Sequence, residues 1–413
     1  MTGILILDTS YTLKIIKERN LFQALHSRKL GGFFKKVVSV NPLSGVFEKS
    51  NKNIGKPTIS KIDSNHIFIS GKVGINASLN LCPPLNFLLS QIKLLKMLTK
   101  LAIQNKVKII RVGDPYYLGI LGLILSRVLN VPLVMRIPGN FDIISKVSNR
   151  PIFKRLFRHR FIEKIVEKFV LPRCHLVICA NRTNRDYAIA NGAKKNLITI
   201  FRYGNLIHPY HWTNPKKRKL SKEVLKLLGL NNTLFISVIS RLEEVKRVDS
   251  VIKAAAQLKR KNYKIKFLII GDGSQMNNLK NLSIQLDVSK NIIFTGNKDQ
   301  VWISKILPSS LAVMSPHGGR SLTECCLAGV PIIAYDFDWQ KEIIKNNLTG
   351  FLIKKDNWKG LVKKTIFILK NKKKSNLLGK NARTEVMKMM NLKKIEDHEK
   401  LKYSEVIKNY NSN

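Results

Sequence analysis

Two tandem α/β domains, each built on a largely parallel sheet with helices on both faces, are predicted by three features of this chain. Short apolar runs alternate with longer amphipathic stretches almost from end to end, which is the pattern of β-α-β units. The alternation breaks once, between residues 206 and 232, and then restarts. The length, 413 residues, suffices for two domains that each bury a core. Two Rossmann-like domains in tandem are expected to face a cleft, with ligands at the carboxyl ends of the strands.

In the first half, strands are expected at residues 4–7, 36–40, 66–70, 107–112, 133–137, 176–180 and 198–202, with helices between them. The break contains Pro209, Pro215 and the run Lys216-Lys217-Arg218-Lys219, so it reads as a connection. Beyond it, strands are expected at 234–239, 267–270, 292–294, 311–314 and 331–335, each followed by a helix. The expected organisation is therefore a first Rossmann-like domain over 1–205, a connection over 206–232, a second Rossmann-like domain over 233–395 and a helical tail over 396–413. Lys370 to Lys374 within the late helical region read as a solvated face.

Composition is ordinary, at 44% hydrophobic and 24% charged, which excludes collagen-like, mucin-like and wholly disordered chains. Charge is not ordinary: 73 Lys and Arg oppose 26 Asp and Glu, a net charge of +47. The excess is spread over both halves, 34 against 9 in residues 1–205 and 39 against 17 beyond. It is therefore no detachable basic tail. It is compatible with an anionic partner and equally with compositional bias. Cys82, Cys174, Cys179, Cys325 and Cys326 form no zinc-type or disulfide-framework spacing, and a reducing cytoplasm is expected. No secretory leader is expected, because Met1-Thr2-Gly3 runs straight into a strand. The longest uncharged stretch, residues 73–92, carries Pro83-Pro84 and several asparagines and is a poor membrane span.

Chemistry concentrates between residues 237 and 350. A strand there ends at Ser240-Arg241 and is followed by Lys246 before the next helix. Cations so spaced at a strand's carboxyl end can converge on one anion, Arg241 forking onto two oxygens and Lys246 supplying a point charge; a pyrophosphate matches. Two independently solvated cations are the alternative. Ile270-Gly271-Asp272-Gly273 enters a Gly-rich turn, which suits either close approach of a nucleotide to Gly271 and Gly273 or simply a tight β-α turn. A third strand leads into Ser315-Pro316-His317-Gly318-Gly319-Arg320-Ser321-Leu322-Thr323-Glu324. With a helix starting near Ser321, the amides of Gly319, Arg320, Ser321 and Leu322 make a phosphate seat. Glu324 lies one turn inside, where it can accept hydrogen bonds from ribose hydroxyls or merely complement the helix dipole.

In this order and spacing, the elements over residues 234–385, with Phe294-Thr295-Gly296 and Gly350-Phe351-Leu352, resemble the nucleotide-sugar-binding half of retaining family-4 ("group 1") glycosyltransferases of the GT-B fold. The first half matches in its α/β pattern and its Gly31-Gly32 loop. The resemblance implies that Arg241 and Lys246 hold the donor diphosphate, that Glu324 binds the ribose, and that transfer retains anomeric configuration. In the family an earlier glutamate contacts the transferred sugar; here the position eight before Glu324 is Pro316, and His317 is the expected substitute. Neither a cofactor nor a metal is expected. Asp336-Phe337-Asp338 has the spacing of a divalent-cation site, but Arg241, Lys246 and a helix start already supply positive charge. Asp338 is expected near the donor.

Two features of the first half complete the reading. Asn140 and Asp142 follow the strand at 133–137 and are candidates for touching acceptor or sugar, with a helix cap as the alternative. Residues 150–173 carry eight cations, and Phe153, Phe157, Phe161, Ile165 and Phe169 recur every fourth residue. One continuous helix with this stripe could lie on an anionic membrane surface or pack on its own sheet. The expected activity is transfer of a sugar from a nucleotide-sugar donor to a glycan or lipid-linked acceptor. It would serve cell-surface polysaccharide or glycolipid synthesis, in the cytoplasm or peripherally on the inner membrane face. The rivals are a nucleotide-sugar epimerase on the same architecture and a basic nucleic-acid-binding protein. No zinc finger, RNP or KH signature supports the second, so no specific nucleic acid is expected.

Overall fold

The computed structural model describes residues 2–18, 21–44, 53–154, 156–202, 207–218, 220 and 222–412. Arg155 of the stripe segment, Leu206 at the start of the expected connection and Lys219 of its basic run lie outside the described residues. The chain divides into two compact units, Met1–Arg202 with Lys393–Asn413, and Tyr203–Leu392.

The first unit has eight strands: β1 (Gly3–Leu7), β2 (Lys36–Asn41), β3 (Thr58–Asp63), β4 (His66–Ser70), β5 (Val107–Val112), β6 (Leu133–Ile137), β7 (Leu176–Cys179) and β8 (Ile198–Ile200). They form one sheet in the order β3-β4-β2-β1-β5-β6-β7-β8, parallel except for β3, which runs antiparallel to β4. Strands this apolar are buried on both sides, and alternate residues serve opposite faces. Leu5, Leu7, Val38, Ile110, Val112, Leu133 and Met135 pack with the helices Pro83–Gln104 and Tyr117–Leu129. Ile4, Ile6, Val37, Ile109, Val134 and Ile178 face the other way, onto Phe34, Phe201, Tyr403 and Val406.

The second unit has a six-stranded, wholly parallel sheet: β9 (Phe235–Ile239), β10 (Lys266–Ile270), β11 (Ile292–Phe294), β12 (Ala312–Ser315), β13 (Ile332–Asp336) and β14 (Phe351–Lys354). The order is β11-β10-β9-β12-β13-β14. Chain direction across the sheet reverses between β9 and β12, and such a switch point is where open parallel sheets leave a crevice at their carboxyl ends. The core joins Ile236, Val238, Phe267, Ile269, Met314, Ile333 and Tyr335 to the helix Val248–Arg260.

Four expectations are revised. The segment from residue 396 is no free tail: the helix Leu392–Asn411 packs on the first unit, where Arg111 Nη1 lies 3.2 Å from Tyr403 Oη and 3.6 Å from the buried Glu399 carboxylate. Gly31 sits under this helix, since a Cβ there would stand 1.9 Å from the Glu396 carboxylate. The expected connection, 206–232, falls in the second unit; Arg218 is buried there, donating to the carbonyls of Ser304 (3.0 Å) and Leu327 (2.7 Å). Strands β3 and β14 were not expected. The 150–173 segment is not one helix: only Arg160–Val170 is helical in α form, and His159 before it is extended. The cause is a buried carboxylate. Glu163 accepts the amides of Ile152 (3.1 Å) and Phe153 (2.7 Å), folding the preceding turn back. Phe153 and Phe157 thereby pack on the Tyr116 ring, at 5.3 and 6.2 Å.

Candidate active site

At the switch point of the second sheet, the loops leaving β9, β10, β12 and β13 lie together, and each is shaped by backbone contacts before any side chain is considered. The Leu242 amide donates to Asp272 O (3.0 Å), and Leu242 O accepts from Gln275 N (2.8 Å), stitching the β9 and β10 loops. Gly271, at φ +138°, allows this approach: a Cβ there would stand 1.9 Å from Ser240 O. A Cβ on Gly273 would stand 2.5 Å from Leu242 O. The amides of these glycines are also occupied, Gly271 N by Gly296 O (2.9 Å) and Gly273 N by the Asp272 carboxylate (2.8 Å). The alternative of a tight turn thus accounts for both residues, and neither offers a free amide to a nucleotide.

The stitched loops leave Arg241 exposed between Ser240 and the buried Leu242. A short turn, Glu244–Lys246, then precedes the helix Val248–Arg260, and Lys246 is largely sunk into the site. Its ammonium nitrogen is 3.8 Å from where a Cβ on Gly319 would be, so it stands against the start of the helix Arg320–Leu327. Burial, with repulsion from Arg241, lowers the Lys246 pKa to about 8, the Asp338 carboxylate pulling the other way. A lysine held so is a cation in want of a counter-ion.

The β12 loop is locked by Gln340, which is fully buried. Its carboxamide accepts from Gly318 N (2.7 Å) and donates to Pro316 O (3.0 Å) and Tyr335 O (2.7 Å). Gly318 has no room for a side chain, since a Cβ would meet Gln340, Leu322 and Ser315 atoms each at 2.8 Å. Past this lock, Leu322 N donates to Gly319 O (3.0 Å). The expected set of free amides therefore loses one member: Leu322 is spent on the first helical turn. Among the described residues, the amides of Gly319, Arg320 and Ser321 donate to no protein group. Three unspent amides at the positive end of a helix attract an anion.

His317 is buried, its Nδ1 2.8 Å from Val245 O; a carbonyl only accepts, so Nδ1 carries the proton. Nε2 lies 3.4 Å from Asp338 Oδ2, and the ring packs edge-on to Phe337. Burial and the nearby Lys246 charge lower its pKa, against the pull of Asp338 and the Val245 carbonyl. Asp338 adopts φ +56° and keeps Oδ1 buried without a hydrogen bond. The carboxylate thus belongs with His317 and Lys246, while Asp336 is exposed at the end of β13. Among the described residues, no three His, Cys, Asp or Glu side chains gather as metal ligands. Glu324 is buried, with its pKa raised by burial against the pull of Arg320, whose Nε is 3.5 Å away.

The fold so built and residues 222–385, which match the family described as glycosyl transferases group 1, decide the assignment. This second unit is a group 1 glycosyl transferase domain. Curated relatives match beyond this domain. The chain is 24% identical over 267 residues to the alpha-monoglucosyldiacylglycerol synthase of Streptococcus pneumoniae, covering 61% of this chain and 57% of that protein. It thus spans less than two thirds of that relative. It is also 24% identical over 330 residues to the Escherichia coli UDP-Gal:alpha-D-GlcNAc-diphosphoundecaprenol alpha-1,3-galactosyltransferase, covering 78% of this chain and 81% of that one. The Anabaena Alr3699/HepE structure in complex with UDP and glucose superposes with a TM-score of 0.71 at 17% identity, over 98% of this chain and all of that one. The fold is accordingly GT-B.

Within this group 1 domain, Arg241, Lys246, His317, Gly319, Arg320, Ser321 and Glu324 lie past the carboxyl ends of the central strands β9 and β12. Asn140 and Asp142 are spent elsewhere. Asn140 caps the helix Phe141–Ser148, accepting from Ile143 N (3.0 Å). Asp142 is not the cap but pairs with Arg160 (2.7 Å) and Lys164 (2.9 Å) and accepts from Asn191 (3.2 Å). The positioning role of Gln340 was missed, because one glutamine in a loop leaves no periodic or spacing signal.

Proposed function

We propose that this chain transfers a sugar from a nucleotide-sugar donor to a hydroxyl of a glycan or lipid-linked acceptor, with retention, and with no metal or cofactor in the step. The observation that carries the reading is the group of Arg241, Lys246 and the unspent amides of Gly319, Arg320 and Ser321 past the carboxyl ends of β9 and β12. That is a cradle of positive charge which the Asp338 carboxylate offsets only in part. A diphosphate seated there would gain most as it departs from the sugar and its charge grows, so the cradle favours the transition state over the bound donor. Glu324, one turn inside the helix, is the ribose acceptor group in this reading, and His317 faces the transferred sugar. The leaving phosphate takes the acceptor proton. An α product made from an α-linked nucleotide sugar is retention, and α products are named for both relatives above. Those names also specify lipid substrates, which favours work at the inner face of a membrane; among the described residues no helix is long and apolar enough to cross one.

A panel of nucleotide sugars screened by thermal shift identifies the donor; a ligand at about 100 times its dissociation constant adds roughly 2.7 kcal/mol. Lys246→Ala and Arg241→Ala are expected to abolish that shift and transfer together while the unliganded melting temperature stays. Full turnover in both variants, or conversion of the donor to its epimer with no acceptor present, overturns the reading.

A further inference from the structure

Three adjacent helices lie on one face of the first unit, which they share with the helices Phe141–Ser148 and Arg182–Ala190. The central one, Tyr117–Leu129, contacts Pro83–Gln104 through Tyr117, whose hydroxyl bonds Gln91 and whose ring lies 6.2 Å from Phe87. On its other side Gly119 fits against the helix Arg160–Val170, since a Cβ there would stand 2.8 Å from Val170 Cγ1. Leu94, Leu98, Leu118, Leu121, Leu125 and Val170 point inward to the same sheet face.

The outward side is apolar as well. Leu85, Leu88 and Ile92 on the first helix are exposed, as are Ile120, Ile124 and Val128 on the second and Phe161, Ile165 and Phe169 on the third. Phe161 and Ile165 are 63% and 62% exposed. Each set recurs at helical spacing, so each forms a stripe along its helix. A helix apolar on all sides is normally buried on all sides, and a contiguous exposed patch of this kind marks a docking surface.

Charge identifies the occupant. The only carboxylates on the three helices are Glu163 and Glu167, and both are fully buried. Glu167 is held by Arg160 (2.6 Å) and the Tyr116 hydroxyl (2.5 Å), and Glu163 by Arg160 (3.0 Å). The exposed charges are all positive: Lys96, Lys100, Arg127 and Lys168, with Lys154, Arg158 and Arg173 flanking the third helix. Arg173 lies over the Phe169 ring at 4.1 Å, its apolar stem along the stripe and its charge at the rim.

We propose that this three-helix face is the surface by which the protein seats on an anionic lipid bilayer, the apolar stripes entering the headgroup boundary and the cationic rim meeting lipid phosphates. Apolar insertion and electrostatic attraction act jointly in such binding, each cation near the surface adding about 1 kcal/mol. The proposal concerns the first unit and stands without the catalytic reading of the second.

The test is flotation of the full chain with vesicles of phosphatidylcholine alone and of an equal mixture with phosphatidylglycerol. Binding is expected to the mixture and to weaken with salt. Ile124→Ser with Phe161→Ser and Ile165→Ser should weaken it at least roughly tenfold, and Lys96→Gln with Lys100→Gln and Arg127→Gln roughly a hundredfold at low salt. All six sites are solvent-facing, so melting temperatures should hold. Lys372→Gln with Lys373→Gln and Lys374→Gln, on the second unit, removes the same charge elsewhere and should leave binding nearly unchanged. Equal loss in that control, or none with the apolar triple, shows binding by net charge alone and overturns the proposal. So does no binding to either vesicle, or a dimer that the apolar triple dissociates, which makes a second copy the occupant.

Discussion

Raising the pH from 7 to 9 should weaken nucleotide-sugar binding roughly tenfold, and the loss should trace to one nitrogen. Lys246 has a pKa near 8 in the unliganded protein because it is buried beside Arg241. With that value about nine-tenths of the molecules carry the ammonium at pH 7 and about one-tenth at pH 9. The diphosphate favours the charged form, so above pH 8 binding must draw a proton from solution and the affinity falls towards a factor of ten per pH unit. Between pH 7 and 9 the shortfall is about 1.4 kcal/mol. A nucleotide sugar suits the measurement because its diphosphate is esterified at both ends and has no proton to lose in this range. Calorimetry in buffers of different ionisation enthalpy should register uptake approaching one proton at pH 9 and little at pH 7. Lys246→Arg should flatten the profile, since a guanidinium stays charged throughout. Equal affinity at pH 7 and 9 in the parent, with no proton uptake, would falsify the placement of this ammonium on the diphosphate.

Two further perturbations test how the units are held. Gly271→Ala puts a methyl 1.9 Å from Ser240 O at φ +138° and should cost about 3 kcal/mol in denaturant unfolding, whereas Gly296→Ala, at φ +67° with open space beside it, should cost about 1 kcal/mol; equal losses refute the close-approach account. Arg160→Met leaves the buried carboxylates of Glu163 and Glu167 without their shared guanidinium, with an expected loss of about 3–5 kcal/mol in the first unit. A loss under about 1 kcal/mol means that Lys164, 3.6 Å from Glu167, suffices.

The central strands were legible because parallel strands buried on both faces read as unbroken apolar runs, as in Gly3-Ile4-Leu5-Ile6-Leu7. Strand β3 escaped notice because Thr58–Asp63 is an edge strand with no fully buried residue, held by pairing to β4 rather than by its own pattern. The run of unspent amides was legible to within one residue, since a Gly-Gly turn before a helix leaves amides free; which of them the first turn consumes depends on geometry. The stripe at 150–173 misled for an electrostatic reason. Helical spacing continues through Phe153 and Phe157, but a buried Glu163 needed donors and took the amides of residues 152 and 153. The partners of Asp142 were likewise illegible, because Arg160, Lys164 and Asn191 are 18, 22 and 49 residues away. Period and spacing report what lies within one element, and ion pairs across elements leave no such mark.

The helix Leu392–Asn411 also orders events at the ribosome. The first 202 residues emerge early, yet Ile4, Ile6, Ile109 and Val134 are covered by Tyr403 and Val406, which follow only after the entire second unit has been made. The first sheet must therefore wait with part of one side uncovered, beyond what Phe34 and Phe201 shield, while the second unit has all of its own strands and can complete itself. During that interval the nascent chain shows bare aliphatic surface to chaperones and to neighbouring chains.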